Sequence, residues 1–396
     1  MHSLPNGWHY KNLEDIALIN PKTEKPSPDS NVSFLTMSDV SENGAIIGGS
    51  VKQMKDVGNG YTIFAEKDVL VAKINPCFQN GKGALAVNLQ SGIGFGSTEF
   101  HVIRPSDKIL PDYLLFVTQT HYFRVTGEAN MTGSAGQKRV PADFLRYFSV
   151  LLPLIQDQKK IISIIQSWKN CIDLIERLIA TKQERRKWLM QQLLTGKKRL
   201  PGFDNPWVSV HLGEVFTNRI ETNFIDLPLV AITGNGGVVS REDLVRRDTS
   251  NEDKSKYLRI CPGDIGYNTM RMWQGVCGLS SLEGIVSPAY TIATPTDEVD
   301  GEYMSLLFKF SQTVYQFHRH SQGLVDDTLN LKWRHFAEIK VTIPDKSEQK
   351  AIAAIFRTAD HEINLLKSQL DALREQKKGL MQQLLTGKRR VKVSIT

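Results

Sequence analysis

Cysteine is scarce in this chain. Four occur in 396 residues, at Cys77, Cys171, Cys261 and Cys277, and no two are spaced C-x-x-C. Isolated thiols of this kind argue against a disulfide framework or a cysteine-ligated zinc module and fit a reducing compartment. No apolar run reaches the ~18 residues that a bilayer span needs. Met1 to Asn20 lacks the basic start and apolar core of an export signal, so a cytoplasmic protein without membrane contact is expected. No Gly-x-x-x-x-Gly-Lys-Ser/Thr is present, which excludes ATP hydrolysis through a P-loop. Apolar residues at 41% and charged residues at 23% exclude a disordered or fibrous chain. The charge is only mildly one-sided, 49 Lys and Arg against 42 Asp and Glu, which permits nucleic acid as a partner without showing it. At roughly 150 residues per domain the length suggests two to three domains.

What the sequence does contain is a duplication. Leu189-Met190-Gln191-Gln192-Leu193-Leu194-Thr195-Gly196-Lys197 recurs as Leu380-Met381-Gln382-Gln383-Leu384-Leu385-Thr386-Gly387-Lys388, an offset of 191. At that offset Pro153–Arg199 aligns without gaps on Pro344–Arg390. Of the 47 pairs 19 are identical, among them Gln158/Gln349, Lys159/Lys350 and Glu184/Glu375. Chance does not produce this, so internal repetition organises the chain.

The repeated segments predict long helices. Positions 161, 165, 168, 172, 175, 179, 182, 186, 189 and 193 alternate in steps of four and three, and eight of the ten are apolar; in the matching set from 352 to 384 nine are. A mean step of ~3.5 residues makes a coiled-coil seam. Its members are Ile161, Ile165, Trp168, Ile172, Ile175 and Ile179 in one helix and Ile352, Phe356, Ile363, Leu366, Leu370 and Leu373 in the other. Pro153 and Pro344 stand just before the helices, and Gly196 and Gly387 follow as C-cap residues with Lys and Arg alongside. About 40 residues of helix measure roughly 60 Å. A helix apolar along one narrow stripe needs a partner, and the other copy is the obvious candidate.

The segments that precede the helices read as mixed, strand-rich domains, with runs such as Tyr61-Thr62-Ile63-Phe64, Asp68-Val69-Leu70-Val71 and Tyr290-Thr291-Ile292-Ala293. Both open alike, with Trp8…Leu13-Glu14-Asp15-Ile16 and Trp207…Leu212-Gly213-Glu214-Val215, and continue with Tyr61, Asp68 and Ser97 against Tyr257, Asp264 and Ser287. Otherwise they have diverged. The expected order is a domain over 1–150, a helix over 151–199, a domain over 207–342 and a helix over 343–390, with Lys197 to Pro206 as a linker.

This layout resembles the specificity (S) subunit of type I restriction-modification enzymes, over the whole chain. The resemblance rests on the doubled Leu-Met-Gln-Gln-Leu-Leu-Thr-Gly-Lys ends and on the Pro…Gln-Lys…Ile helix starts. Further strings are Ser97-Thr98-Glu99-Phe100, Gly133-Ser134-Ala135-Gly136-Gln137-Lys138, Gly263-Asp264-Ile265-Gly266-Tyr267-Asn268 and Gly284-Ile285-Val286-Ser287-Pro288-Ala289-Tyr290. It implies an α+β fold of two strand-rich target recognition domains, separated by two long antiparallel coiled-coil helices in a pseudo-two-fold repeat. It implies a non-catalytic subunit that reads a bipartite, asymmetric site in double-stranded DNA and docks two methyltransferase (M) subunits and restriction (R) subunits. S-adenosylmethionine, ATP and Mg would belong to those partners, and no cofactor or metal to this chain.

Patterns that mimic chemistry are weak. Ser287-Pro288-Ala289-Tyr290 lacks the second proline of an amino-methyltransferase motif, and Gly81-Lys82-Gly83-Ala84-Leu85-Ala86 reads as a turn between strands. Glu338-Ile339-Lys340 with Asp326 and Asp327 upstream imitates a nuclease, and His318 with His320 a metal pair without a third ligand. No catalytic residue is therefore assigned, and a stand-alone methyltransferase or nuclease with degenerate motifs is the alternative. Contact with DNA remains. Lys, Arg and small polar groups hold phosphates, while Arg, Lys, Asn and Gln read base edges. Such residues gather beside glycines at Lys73, Asn75, Gln79, Asn80, Lys82, Ser97, Thr98, Lys138 and Arg139. A second group is Asn268, Arg271, Trp273, Gln274, Ser287, Tyr290, Arg319, Lys332 and Arg334. The basic runs Lys182–Arg199 and Lys377–Arg390 suit packing near M subunits first and DNA phosphate second.

Overall fold

The computed structural model describes residues 6–134, 136–234, 236–244 and 252–391. Outside them fall the first residues of the Met1–Asn20 stretch and Ala135 of the Gly133–Lys138 string; the side chain of Asp327 is also not described. The chain forms two compact units, one of Met1–Glu176 with Gln369–Thr396, the other of Arg177–Ser368. The fold is α+β, and each unit combines a strand-rich domain with part of both long helices.

The helices run Ile155–Leu193 and Lys346–Leu385, with Gly196 and Gly387 beyond their ends at φ 66 and 69. Both begin later than expected, because Leu151 and Leu152, and likewise Ile343, are strand residues. Ser149–Leu152 pairs antiparallel with His9–Asn12, and Lys340–Ile343 with Val208–His211. In the first unit Leu384 and Leu385 share a core with Ile161 and Ile165. There Arg374 of the second helix pairs with Glu176 of the first at 2.6 Å, so the segments run antiparallel. In the second unit Leu193 and Leu194 pack with Ile352, Ala353 and Phe356, and Lys182 pairs with Glu362 at 2.7 Å. Of the seam residues, Ile161, Ile165, Ile172, Ile179, Ile352, Phe356, Ile363 and Leu370 are buried, and Trp168, Ile175, Leu366 and Leu373 half-buried. Leu174 and Leu365, off the stripe, are exposed.

The strand-rich domains share a four-stranded antiparallel sheet. In the first unit its spatial order is Ala17–Ile19, Phe100–Pro105, Val69–Ala72, Gly83–Leu85; in the second it is Phe216–Arg219, Tyr290–Pro295, Ile265–Asn268, Cys277–Leu279. The registers superpose: Ala17 opposes Pro105 as Phe216 opposes Pro295, and Val69 opposes Ile103 and Leu85 as Ile265 opposes Ala293 and Leu279. Two paired helices follow each sheet, Pro111–Thr118 and His121–Ala129, then Gly301–Phe308 and Ser311–His320.

Three repeated devices join sheet to helix. The buried Gln158 amide donates to the Pro153 carbonyl at 2.9 Å and the Lys108 carbonyl at 3.0 Å, and its oxygen accepts from Leu110 N–H at 2.8 Å. Gln349 donates to the Pro344 carbonyl and accepts from Asp300 N–H, each at 2.8 Å. Trp8 and Trp207 donate their indole N–H groups to the helix-start carboxylates Asp157 at 2.9 Å and Glu348 at 3.2 Å. The buried Asp68 and Asp264, each opening a central strand, cap a turn through Ala65 N–H and Cys261 N–H and grip Arg104 and Arg219. The expected linker is fastened: Arg199 forms two 2.7 Å bonds to the buried Glu348, and Leu200 packs on the second unit's core.

Candidate nucleic-acid interface

One end of each shared sheet, where its two central strands finish and begin and which is called its edge below, is closed by the same main-chain clamp. In the first unit Lys73 N–H donates to the Glu99 carbonyl at 2.7 Å, and Val140 N–H donates to the Lys73 carbonyl at 2.9 Å. In the second, Thr269 N–H donates to the Ala289 carbonyl at 3.2 Å, and Leu331 N–H to the Thr269 carbonyl at 2.8 Å. A turn from Ser97 to Phe100 matches one from Ser287 to Tyr290, and the isolated bridge Thr132–Arg139 matches Gln322–Asn330. Three loops therefore meet at each edge: one leaving a central strand, one entering its neighbour, and one preceding a short helix (Ala142–Tyr147 or Trp333–Ala337).

In the first unit this edge gathers Lys73, Asn75, Ser97, Thr98, Lys138 and Arg139. Two of its three cations are engaged within the chain. Arg139 forms a two-pronged pair with Glu99, with Nη2 at 2.8 Å and Nε at 3.0 Å, and this pairing lowers the Glu99 pKa. Lys73 is half-buried and donates Nζ to the Thr98 carbonyl at 2.8 Å; burial lowers its pKa. Lys138 is exposed and, among the described residues, has no side-chain partner. Asn75 holds Lys138 through its backbone N–H, and its side-chain oxygen is buried without a partner. Ser97 accepts from Glu99 N–H at 3.2 Å, and Thr98 is exposed.

Asn80 and Lys82 come next to this cluster: the Lys82 carbonyl accepts from Ala72 N–H at 3.0 Å, beside Lys73. They lie in the turn that leads into Gly83–Leu85, against the 37–45 loop, where Lys82 donates to the Met37 carbonyl at 3.1 Å. Gln79, beside them, donates to Glu128 at 3.3 Å. Asn80 lines a cleft of about 1840 Å³ in the first unit, walled by Tyr122, Phe148, Ile172, Arg374 and Lys377.

Sequence reading missed the centre of the first edge. His101 is buried, donates Nε2–H to the Val140 carbonyl at 2.8 Å and receives the Asn20 amide on Nδ1 at 3.1 Å. Burial pushes its pKa down to about 4. In the sequence it stands directly after the string Ser97-Thr98-Glu99-Phe100 and was not selected.

The second edge is chemically different. Asn268 accepts from Met270 N–H at 3.0 Å and so shapes the loop that carries Arg271, Trp273 and Gln274. The Arg271 and Lys332 side chains are exposed and, among the described residues, make no hydrogen bond or ion pair. Trp273 donates to the Met270 carbonyl at 3.0 Å and sets its ring edge-on to His318, 5.8 Å between centres. Ser287 and Tyr290 form the entering turn. Arg319 lies over Tyr315 on the Ser311–His320 helix, and Arg334, exposed on the short helix, is 3.9 Å from Glu338. The clamp puts Ala289 where the first unit has Glu99, so no carboxylate neutralises this edge at that position. It also brings in Thr269, Gln322 and Asn330, which sequence reading did not select; the Asn330 side-chain oxygen is buried without a partner.

The basic helix ends are partly explained within the chain. Lys182 pairs with Glu362, Arg186 with Asp360 at 2.5 and 2.9 Å, and Arg199 with Glu348. These three serve helix pairing and the helix start, and the other cations of the run are outside these pairs. Among the described residues no group of three or more His, Cys, Asp and Glu could hold a metal ion, and no helix is long and apolar enough to cross a membrane.

Residues 5–181 match the family described as the type I restriction modification DNA specificity domain. The chain is 35% identical over 266 residues to the specificity subunit of the type I restriction enzyme EcoAI of Escherichia coli, a match covering 65% of this chain and 44% of that relative. It is 31% identical over 264 residues to the EcoEI specificity subunit of the same organism, covering 65% and 43%. The matched stretch thus spans less than half of either relative. The fold matches the HsdS subunit from Thermoanaerobacter tengcongensis with a TM-score of 0.56 at 18% identity, over 98% of this chain and 99% of that one.

Proposed function

We propose that this chain, similar to type I specificity subunits in sequence and in fold, is the DNA-reading subunit of a type I restriction-modification complex and performs no chemistry itself. One observation carries the reading. The same main-chain clamp recurs at two sheet edges, while the side chains it presents differ: Lys73, Glu99 and Arg139 at one, Thr269, Ala289 and Asn330 at the other. A shared scaffold with unlike polar surfaces suits two readers of unlike half-sequences, hence a bipartite, asymmetric target in double-stranded DNA. Two methyltransferase subunits and restriction subunits would dock on the complex in the cytoplasm, and S-adenosylmethionine, ATP and Mg would be theirs.

The test is methylome sequencing of the host with and without the chain, beside incubation of the purified chain with S-adenosylmethionine and duplex DNA. The expected result is loss of one split, non-palindromic methylated motif on deletion and no methyl transfer by the chain alone. A symmetric motif would overturn the two-reader model, and methylation by the isolated chain would favour the enzyme alternative.

A further inference from the structure

The loop from Gln322 to Asn330 presents an apolar tip beside the cations of the second edge. Gln322 and Asn330 pair across its base through two backbone bonds of 2.9 and 2.8 Å. Thr328 N–H donates to the Val325 carbonyl at 2.9 Å, the Thr328 hydroxyl bonds the same carbonyl at 2.8 Å, and Val325 N–H returns to that hydroxyl at 3.2 Å. The strands of the loop approach so closely at Gly323 that a Cβ there would lie 2.7 Å from the Thr328 backbone. Leu329 is buried and anchors the far side. On this braced turn Leu324 is 100% exposed and Val325 60%.

A lone exposed leucine is commonplace. Two neighbouring apolar residues, held outward by a hydrogen-bonded turn, are not explained by packing within the chain. Their surroundings are polar and cationic. Asp326 lies 3.8 Å from His318, which meets Trp273, and Arg319 follows on the same helix. Leu331, next to Lys332, is clamped to Thr269, two residues from Arg271. A tip carrying Asp326 is repelled by phosphates, whereas apolar groups and carboxylates are what reads thymine methyls and cytosine amines on a groove floor. The corresponding loop of the first unit has Ser134 in the sequence where this one has Leu324.

We propose that Leu324 and Val325 form an apolar base-reading tip of the second edge, entering a DNA groove while Arg271, Arg319 and Lys332 hold the flanking phosphates. This rests on the DNA-reading function above. The experiment is selection from a randomised duplex pool by the full chain, purified from its host with the subunits that accompany it, as wild type, Leu324→Ser and Leu324→Met. In Leu324→Ser, base preference should vanish at one or two positions of a single half-site and affinity for the wild-type motif should fall about tenfold, or ~1.4 kcal/mol. The salt slope should hold, because no phosphate contact is lost. Leu324→Met should keep most of the preference, and replacing thymine by uracil at the affected positions should reproduce the serine defect.

An unchanged motif in Leu324→Ser overturns the proposal. So does an unchanged motif with loss of the accompanying subunits, which would make the tip a protein contact. If the wild type enriches no motif, the DNA-reading function fails, and the proposal with it.

Discussion

Replacing Gln158 by leucine, nearly isosteric but unable to hydrogen-bond, tests whether the repeated glutamine fastens helix to sheet. It orphans three main-chain groups at once: Leu110 N–H, the Lys108 carbonyl and the Pro153 carbonyl. Gln158 is 0% exposed, so water does not readily replace the lost partner. At a net ~1 kcal/mol per hydrogen bond the loss is about 3 kcal/mol, more if the orphaned groups stay dry. Gln349→Leu orphans only Asp300 N–H and the Pro344 carbonyl, so about 2 kcal/mol is expected there. Leu110 and Asp300 are the N-cap residues of Pro111–Thr118 and Gly301–Phe308, so each loss should loosen its own helix start. Hydrogen exchange followed by mass spectrometry, with urea denaturation alongside, reads both effects. Gln158→Leu should speed exchange in the peptide containing Leu110, and Gln349→Leu in the one containing Asp300, roughly tenfold per 1.4 kcal/mol. Unaltered exchange at Leu110, together with a stability change below about 0.5 kcal/mol, would refute the fastening role.

Ile363→Asp places an unpaired carboxylate in the seam at a position 5% exposed, and should cost at least ~3 kcal/mol; an unchanged melting temperature would defeat the paired-helix account. His101 gives a pH signature. Its folded pKa, about 4, lies below the ordinary ~6.5, so the unfolded chain takes up the proton first and stability falls as pH drops from about 6.5 to 4. The slope should be shallower in His101→Gln, most clearly between about pH 6.5 and 5, and about 3 kcal/mol is the upper scale of the effect; an equally steep acid limb in that variant would rule it out. Arg271→Ala should weaken binding of the target duplex by ~1–3 kcal/mol if the residue reads a base, or lower the salt slope by about one if it holds a phosphate; anisotropy titrations across a salt series that show neither remove it from the interface.

The helices and their joints were the legible part. A seam residue must be apolar whichever side chain opposes it, so Ile161, Ile172, Ile352 and Ile363 keep the pattern visible through divergence. Gln158 and Gln349 survive because each bonds backbone, which stays in place when neighbouring side chains change. The edges were less legible because the intervening loops changed length. Val69 corresponds to Ile265 at an offset of 196, but Phe100 corresponds to Tyr290 at 190, so no single alignment puts Lys73 on Thr269 and Glu99 on Ala289. Composition also cannot show which cations are already spent: Arg139 and Arg271 look alike in sequence, and only the fold sets Glu99 beside the first.

That difference follows from how the edges are held. The clamp uses only N–H and carbonyl groups, so its geometry is indifferent to the side chains it carries. Lys73 and Thr269, Glu99 and Ala289, Val140 and Leu331 occupy equivalent places although two of the three pairs are chemically unlike. The demands of folding fall elsewhere, on the buried Asp68 and Asp264 with their arginines and on the glutamines at the helix starts. Substitution at an edge therefore leaves the sheet's backbone bonds intact. If these edges read DNA, one unit can acquire a new half-sequence without altering the core that supports it, which is how a duplicated domain could come to read two different sequences.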